Sequence, residues 1–164
     1  MARWEAPEAF AEFVRGRHAE LLRFAFVLTG DRHLAEDLVQ DALERTGLAW
    51  HRVRRQDNPE GYARRIITNR FLSRIRDLRR ERLVDVVPDL AVAAAEPSDD
   101  ATWRLLGQLP PAQRAAVVAR YYLDLSEAQA ADLLGCSVGT VKSNTFRALA
   151  KLRARLAHHV EGAP

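Results

Sequence analysis

The chain has 164 residues, 25 Lys and Arg against 22 Asp and Glu for a formal net charge of +3, and 48% hydrophobic residues. That apolar content lies far above the range of disordered chains, and no apolar run approaches the roughly 20 residues that span a bilayer. The lone Cys136 excludes an internal disulfide and fits a reducing cytoplasm. A pI near 9.5 points to an anionic partner, and the opening "MARWEAPEAFAEFVRGRH" lacks the apolar core of a secretion signal.

Residues 8–29 carry Phe10, Phe13, Val14, Leu21, Phe24 and Leu28 at helical spacing, which predicts a first helix. Gly30 stops it, and Asp31 is placed to cap a second helix over 32–50. There Asp37, Gln40, Asp41 and Glu44 fall at i, i+3, i+4 and i+7, one acidic-polar stripe. Residues 31–50 hold five acids against Arg32 and Arg45, net −3. DNA would be repelled from that stripe, so it suits a basic protein partner; the plainer alternative is a solvated helix helped by acids near its positive end. Asn58-Pro59 starts a third helix, reaching about residue 80. Residues 58–82 hold eight arginines against Glu60, Asp77 and Glu81, net +5. Ala63, Ile67, Phe71 and Ile75 form its apolar stripe, while Arg65, Thr68, Asn69, Arg76, Arg79 and Arg80 face the other way.

Residues 83–101, "LVDVVPDLAVAAAEPSDDA", contain five acids and no Lys or Arg, net −5, and Pro88 and Pro97 oppose a continuous helix. They read as an acidic linker between an N-terminal domain, 1–82, and a C-terminal one, 102–164; a surface loop within one domain is the alternative. Helices are predicted over 102–108 and 112–123. The stretch "SEAQAADLLGCSVGTVKSNTFRALAKLRARL" then reads as helix, glycine-containing turn, helix. Ser126 and Gln129 form a capping box, and Gly135 falls in the turn, where a glycine can take a positive φ. On the second of these helices Val141, Thr145, Ala148, Leu152 and Leu156 share one side. Thr140, Ser143, Asn144, Arg147 and Lys151 share another, flanked by Lys142 and Phe146. Residues 133–160 include five Lys and Arg and no acid, net +5. A solvated face normally mixes both signs, whereas hydroxyl, amide and guanidinium groups on an acid-free face match phosphates and base edges. The expected fold class is all-α, two small helical domains joined by an acidic linker, the C-terminal one containing a helix-turn-helix.

Three segments carry a resemblance: "AEDLVQDAL" (35–43), "NPEGYARRIITNRFLSRIRDLRRER" (58–82) and "LPPAQRAAVVARYYLDLSEAQAADLLGCSVGTVKS" (109–143). In this order they resemble the extracytoplasmic-function (ECF) group of bacterial RNA polymerase sigma factors, nearest its sigma-E-like actinobacterial subfamily. The likeness covers nearly the whole chain. It implies a promoter-specificity subunit rather than an enzyme, with no cofactor and no metal. It implies RNA polymerase core as partner, through the β′ coiled coil and the β flap, together with promoter DNA, and it admits an anti-sigma factor. Asp37 and Gln40 match the family's polymerase-docking motif, with Asp41 and Glu44 on the same face. Arg65, Asn69, Ser73, Arg76, Arg79 and Arg80 fall on the −10 helix. There the resemblance gives Asn69 a base or its backbone and gives Arg76, Arg79 and Arg80 phosphates, while Ser73 stands where many relatives have an acid. Arg120, Thr140, Lys142, Ser143, Asn144, Phe146, Arg147 and Lys151 form the −35 set, with Asn144-Thr145 replacing the more usual arginine and aliphatic pair.

The acidic linker occupies the place where family members thread toward the RNA exit path; mimicry of RNA phosphates and simple solvation both stay open. The nearest rival is a self-sufficient helix-turn-helix regulator that binds DNA as a dimer. An enzyme has little support, since His18, His33, His51, His158 and His159 make no metal spacing and no phosphate loop or nucleophile elbow appears. Cys136 reads as a small packed residue. Nothing of domain size follows Leu156, so no appended regulatory domain is expected.

Overall fold

The computed structural model describes residues 7–55, 58–81 and 101–162, the side chains at 79–81, 101–103 and 159 excepted. α1 (Glu8–Thr29) and α2 (Arg32–Leu48) form a helical hairpin whose turn is set locally. Gly30 takes the left-handed conformation (φ 67°), open to glycine without a Cβ penalty, and its N–H bonds Phe26 O. The Asp31 carboxylate then accepts from Leu34 N at 3.1 Å, satisfying one of the free N–H groups that open α2.

α2 stops at Leu48, two residues short of the expected end, and a separate short helix follows, α3 (Trp50–Arg55). The reason is long-range: Trp50 packs its ring against Phe10 and Phe13, at centroid distances of 5.3 and 5.5 Å. Ala49 leaves the helical region to allow it (φ −96°, ψ 10°). α4 (Pro59–Glu81) then lies against both helices of the hairpin. Its start is built by Asn58, whose Oδ1 accepts from Gly61 N at 2.9 Å. A Cβ at Gly61 would come within 2.3 Å of the Asn58 side-chain nitrogen, so the cap and the glycine belong together. Leu21, Phe24, Leu28, Ala63 and Ile67 are buried to within 1%. Each of the larger ones contributes roughly 1.5–3 kcal/mol by leaving water.

The C-terminal helices are α5 (Ala101–Gly107), α6 (Pro111–Val117), a π-helical turn (Val118–Tyr122), α7 (Glu127–Leu134) and α8 (Val138–Glu161). The residues of the expected linker, 83–100, lie outside the described residues; Ala101 opens α5. Small side chains let α7 approach its neighbours: Ala130, Ala131 and Leu133 bury with Ala119 and Val141. A second small cluster joins Leu109, Val117 and Ala148.

The two groups of helices share a core. Ala115 and Val118 are buried in the same cluster as Leu21, Phe24, Leu28 and Ile67, and the Tyr122 ring stacks on Phe24 at 6.4 Å. Two expectations about faces change. Thr68, expected to point outward, is 1% exposed, and its hydroxyl donates to Arg64 O at 2.9 Å. Leu156, expected on the packed side of α8, is 51% exposed, because the core beneath α8 ends near Leu152.

Candidate nucleic-acid and partner interfaces

On α2 the acidic stripe divides. Asp37, Gln40 and Glu44 are exposed, and Gln40 Nε2 donates to Glu44 Oε1 at 3.4 Å. Asp41 turns toward α4, where its carboxylate holds Arg70 Nε at 2.8 Å and Arg45 Nε at 3.2 Å. Beside Gln40 and Glu44 runs a groove of about 760 Å³ with Phe10, Val14, Leu22, Leu43 and Leu48 on its walls and Glu36 at its rim. Leu48 is 81% exposed, an apolar group of this size left to water. The stripe alone did not show this floor, yet a signal existed: Leu48 continues the i, i+4 series of Gln40 and Glu44.

On α4, Asn69 and Arg76 are exposed and Ser73 is half-buried, and Arg76 Nη2 donates to Ser73 Oγ at 3.3 Å. Arg65 lies one turn before Asn69 and is ion-paired with Asp132 of α7. Arg64 pairs with Glu60 at 2.6 Å and sits over the Phe24 ring, 5.9 Å from its centre. Arg79 and Arg80 belong to the helical span of α4, but their side chains lie outside the described residues.

On α7 and α8 the turn is closed by three local devices. Ser126 Oγ accepts from Gln129 N (3.1 Å) while Gln129 Oε1 accepts from Ser126 N (2.9 Å). Gly135 takes φ 65°, and Ser137 Oγ accepts from Thr140 N at 3.1 Å to start α8. The Thr140 hydroxyl lies 2.9 Å from Ser137 Oγ, so it belongs to the cap as well as to the exposed face. Lys142, Ser143, Phe146, Arg147 and Lys151 are exposed, with Phe146 at 75% and Lys142 Nζ 3.6 Å from Glu127. Asn144 is half-buried. Arg120 lies off this face, its guanidinium donating to Leu125 O and bracing the loop into α7. Burial pushes the Cys136 thiol up from its ordinary value.

Comparison with known proteins gives these surfaces a common origin. Residues 13–81 match the family described as sigma-70 region 2, and residues 99–152 match sigma-70, region 4. The chain is 37% identical over 156 residues to the RNA polymerase sigma-E factor of Streptomyces coelicolor, covering 90% of this chain and 85% of that one. It is 36% identical over 155 residues to the ECF sigma factor SigM of Mycobacterium tuberculosis, covering 90% and 76%. The chain belongs to the ECF group of RNA polymerase sigma factors.

Two solved structures resemble it across both regions. A sigma factor RpoE, in complex with the anti-sigma factor NepR from Bartonella quintana, superposes with a TM-score of 0.69 at 25% identity, covering 92% of this chain and 98% of that one. CnrH, in complex with the cytosolic domain of CnrY, gives 0.56 at 27%, covering 92% and 88%. The sigma factor directs promoter-specific initiation by RNA polymerase, and both of its regions are built of helices, with no strand among their described residues. No described helix is long and apolar enough to cross a membrane. Region 2 thus brings the exposed members of the expected docking and −10 sets onto α2 and α4. Region 4 gathers the expected −35 residues on α8 apart from Arg120.

Proposed function

We propose that residues 1–82 dock polymerase core and read the −10 element, that residues 102–164 read the −35 element, and that the acidic segment 83–101 links them. In this reading Asp37, Gln40 and Glu44 meet the β′ coiled coil, with Asp41 tied back to hold α2 against α4. The apolar groove beside Gln40 and Glu44 takes the partner's apolar side chains, and the acids at its rim meet basic ones. Asn69 and Ser73 face the −10 bases or backbone, and Arg65, Arg76, Arg79 and Arg80 meet phosphates. Thr140, Lys142, Ser143, Asn144, Phe146, Arg147 and Lys151 enter the major groove at −35 while Arg120 supports the turn. The β flap is the second contact of core, with region 4. An anti-sigma factor is a further partner, by analogy with the two solved relatives, each bound to a partner protein. The work is done in the cytoplasm, and the chemistry of RNA synthesis stays with the polymerase.

One observation carries this reading: from residue 138 to 160, α8 offers an exposed face with both cationic and neutral hydrogen-bonding groups and no acid among them, Glu161 coming only at its last residue. The experiment is in vitro transcription and gel shift with and without core polymerase. Specific promoter opening is expected only with core, and binding by the free chain is expected to be weak and steeply salt-dependent. Tight sequence-specific binding by the free chain would favour a self-sufficient regulator instead. Replacing Asp37 and Gln40 together by alanine is expected to weaken pull-down by core and leave helicity unchanged, since surface changes move stability by only about 0.5 kcal/mol.

A further inference from the structure

Arg114, on α6, is 5% exposed and has no carboxylate partner among its hydrogen bonds. Its Nη1 donates to Leu28 O at 3.0 Å, and its Nη2 reaches Leu109 O at 3.2 Å and Gly107 O at 3.4 Å. Leu28 O is one of the last four carbonyls of α1, which no residue of α1 itself can satisfy. Gly107 closes α5 in the same way. A single guanidinium of region 4 therefore occupies the carbonyl ends of two helices, one of them in region 2, where the helix dipoles favour a cation.

Around this contact lies a thin apolar seal. Ala115 and Val118, each 2% exposed, sit in the region 2 core, and Tyr122 covers Phe24. The Arg65–Asp132 pair at the edge is largely exposed, at 51% and 71% of the two side chains, and so carries little weight. The arrangement also contains its own release. A buried cation without a counter-ion is poorly solvated, and burial lowers the Arg114 ionisation from the ordinary arginine value. Separating the regions returns water to the guanidinium, which keeps its contacts to Gly107 and Leu109 and gives up only Leu28.

We infer that Arg114 is a latch that seats region 4 on region 2 in the free sigma factor. A compact chain of this length has a radius of gyration of about 15 Å and is roughly 40 Å across.

The test is small-angle X-ray scattering on the full chain alone, which needs neither DNA nor polymerase and so separates failure of the latch from failure of the promoter reading. The wild type is expected to scatter as one compact body. Arg114→Met is expected to shift the closed-to-open ratio by roughly ten- to hundredfold, the weight of a charge-assisted hydrogen bond, and to raise the radius of gyration at unchanged helicity by circular dichroism. Should Arg114→Met lose helix, Arg114→Lys decides, because it keeps the charge and most of the packing but cannot fork between two helix ends. Opening with native helicity in the deciding variant supports the latch. A wild type that scatters as two separated bodies, a folded deciding variant that stays closed, or loss of helix in both variants overturns it.

Discussion

Residues 58–82 and 133–160 carry the same formal net charge, +5, yet they offer that charge very differently. On α4, Arg64, Arg65 and Arg70 are each held by a carboxylate, from Glu60, Asp132 and Asp41. On α8, Arg147, Lys151 and Arg153 are exposed and without an ion-pair partner among the described residues. Part of the α4 charge is already paired within the chain, whereas most of the α8 charge stands ready for a ligand. Net charge states how many cations exist; only the geometry states how many are available. The same split divides the acids of α2, where Asp41 serves α4 and Asp37 faces water.

The sharpest test of this contrast is Arg147→Ala. An arginine in the major groove can pair bidentately with guanine, worth about 1–3 kcal/mol of discrimination. Selection from a promoter library randomised across the −35 element is expected to lose preference at one base pair. If every promoter falls in parallel instead, Arg147 is only a phosphate clamp and α8 resembles α4 more than its geometry suggests.

The two helices are alike in one respect, since each begins on a side-chain cap, Asn58 for α4 and Ser137 for α8. Asn58→Ala and Ser137→Ala are each expected to cost about 1 kcal/mol in chemical denaturation. A cost confined to Ser137 would mean that tertiary contacts alone hold the start of α4.

The smallest effect separates the helices by their response to salt. Lys151→Ala is expected to lower the slope of log affinity against log salt by about one unit, the loss of a phosphate contact. Arg70→Ala is expected to leave that slope unchanged, because its guanidinium already belongs to Asp41. Equal slope changes for both, measured with polymerase core present, would erase the distinction between committed and available cations.

Much of this was readable in the sequence where the determinants are local. The bounds of α1 follow from its apolar spacing and Gly30, and the capping box at Ser126 and Gln129 forms as its spacing predicts. What escaped depends on partners far along the chain. The break at Ala49 answers to Phe10 and Phe13, and the commitment of Asp41 to Arg70, 29 residues on. Arg114 is the clearest case. Arginine is rarely buried without an acid, and its acceptors are backbone carbonyls, one of them 86 residues away, which no side-chain pattern advertises. The expected partner face was legible as acids alone, while its apolar floor required α1 and α2 to be seen side by side.

The π-helical turn between α6 and α7 has a consequence for chain length. Leu123 N bonds Val118 O, five residues back, where an α-helix would reach back four. The turn thus stores one surplus residue, and Asp124 at φ 53° reverses the chain directly after it. Removing a residue here would let the helix close its ordinary ladder instead of breaking it, so a one-residue deletion is locally the mildest change of length. A deletion inside an unbroken α-helix would instead rotate whatever follows by about 100° relative to what precedes. Here the widened turn absorbs the change, so the helix-turn-helix would keep both its shape and its direction. The spare residue makes this a place where chain length and orientation are uncoupled.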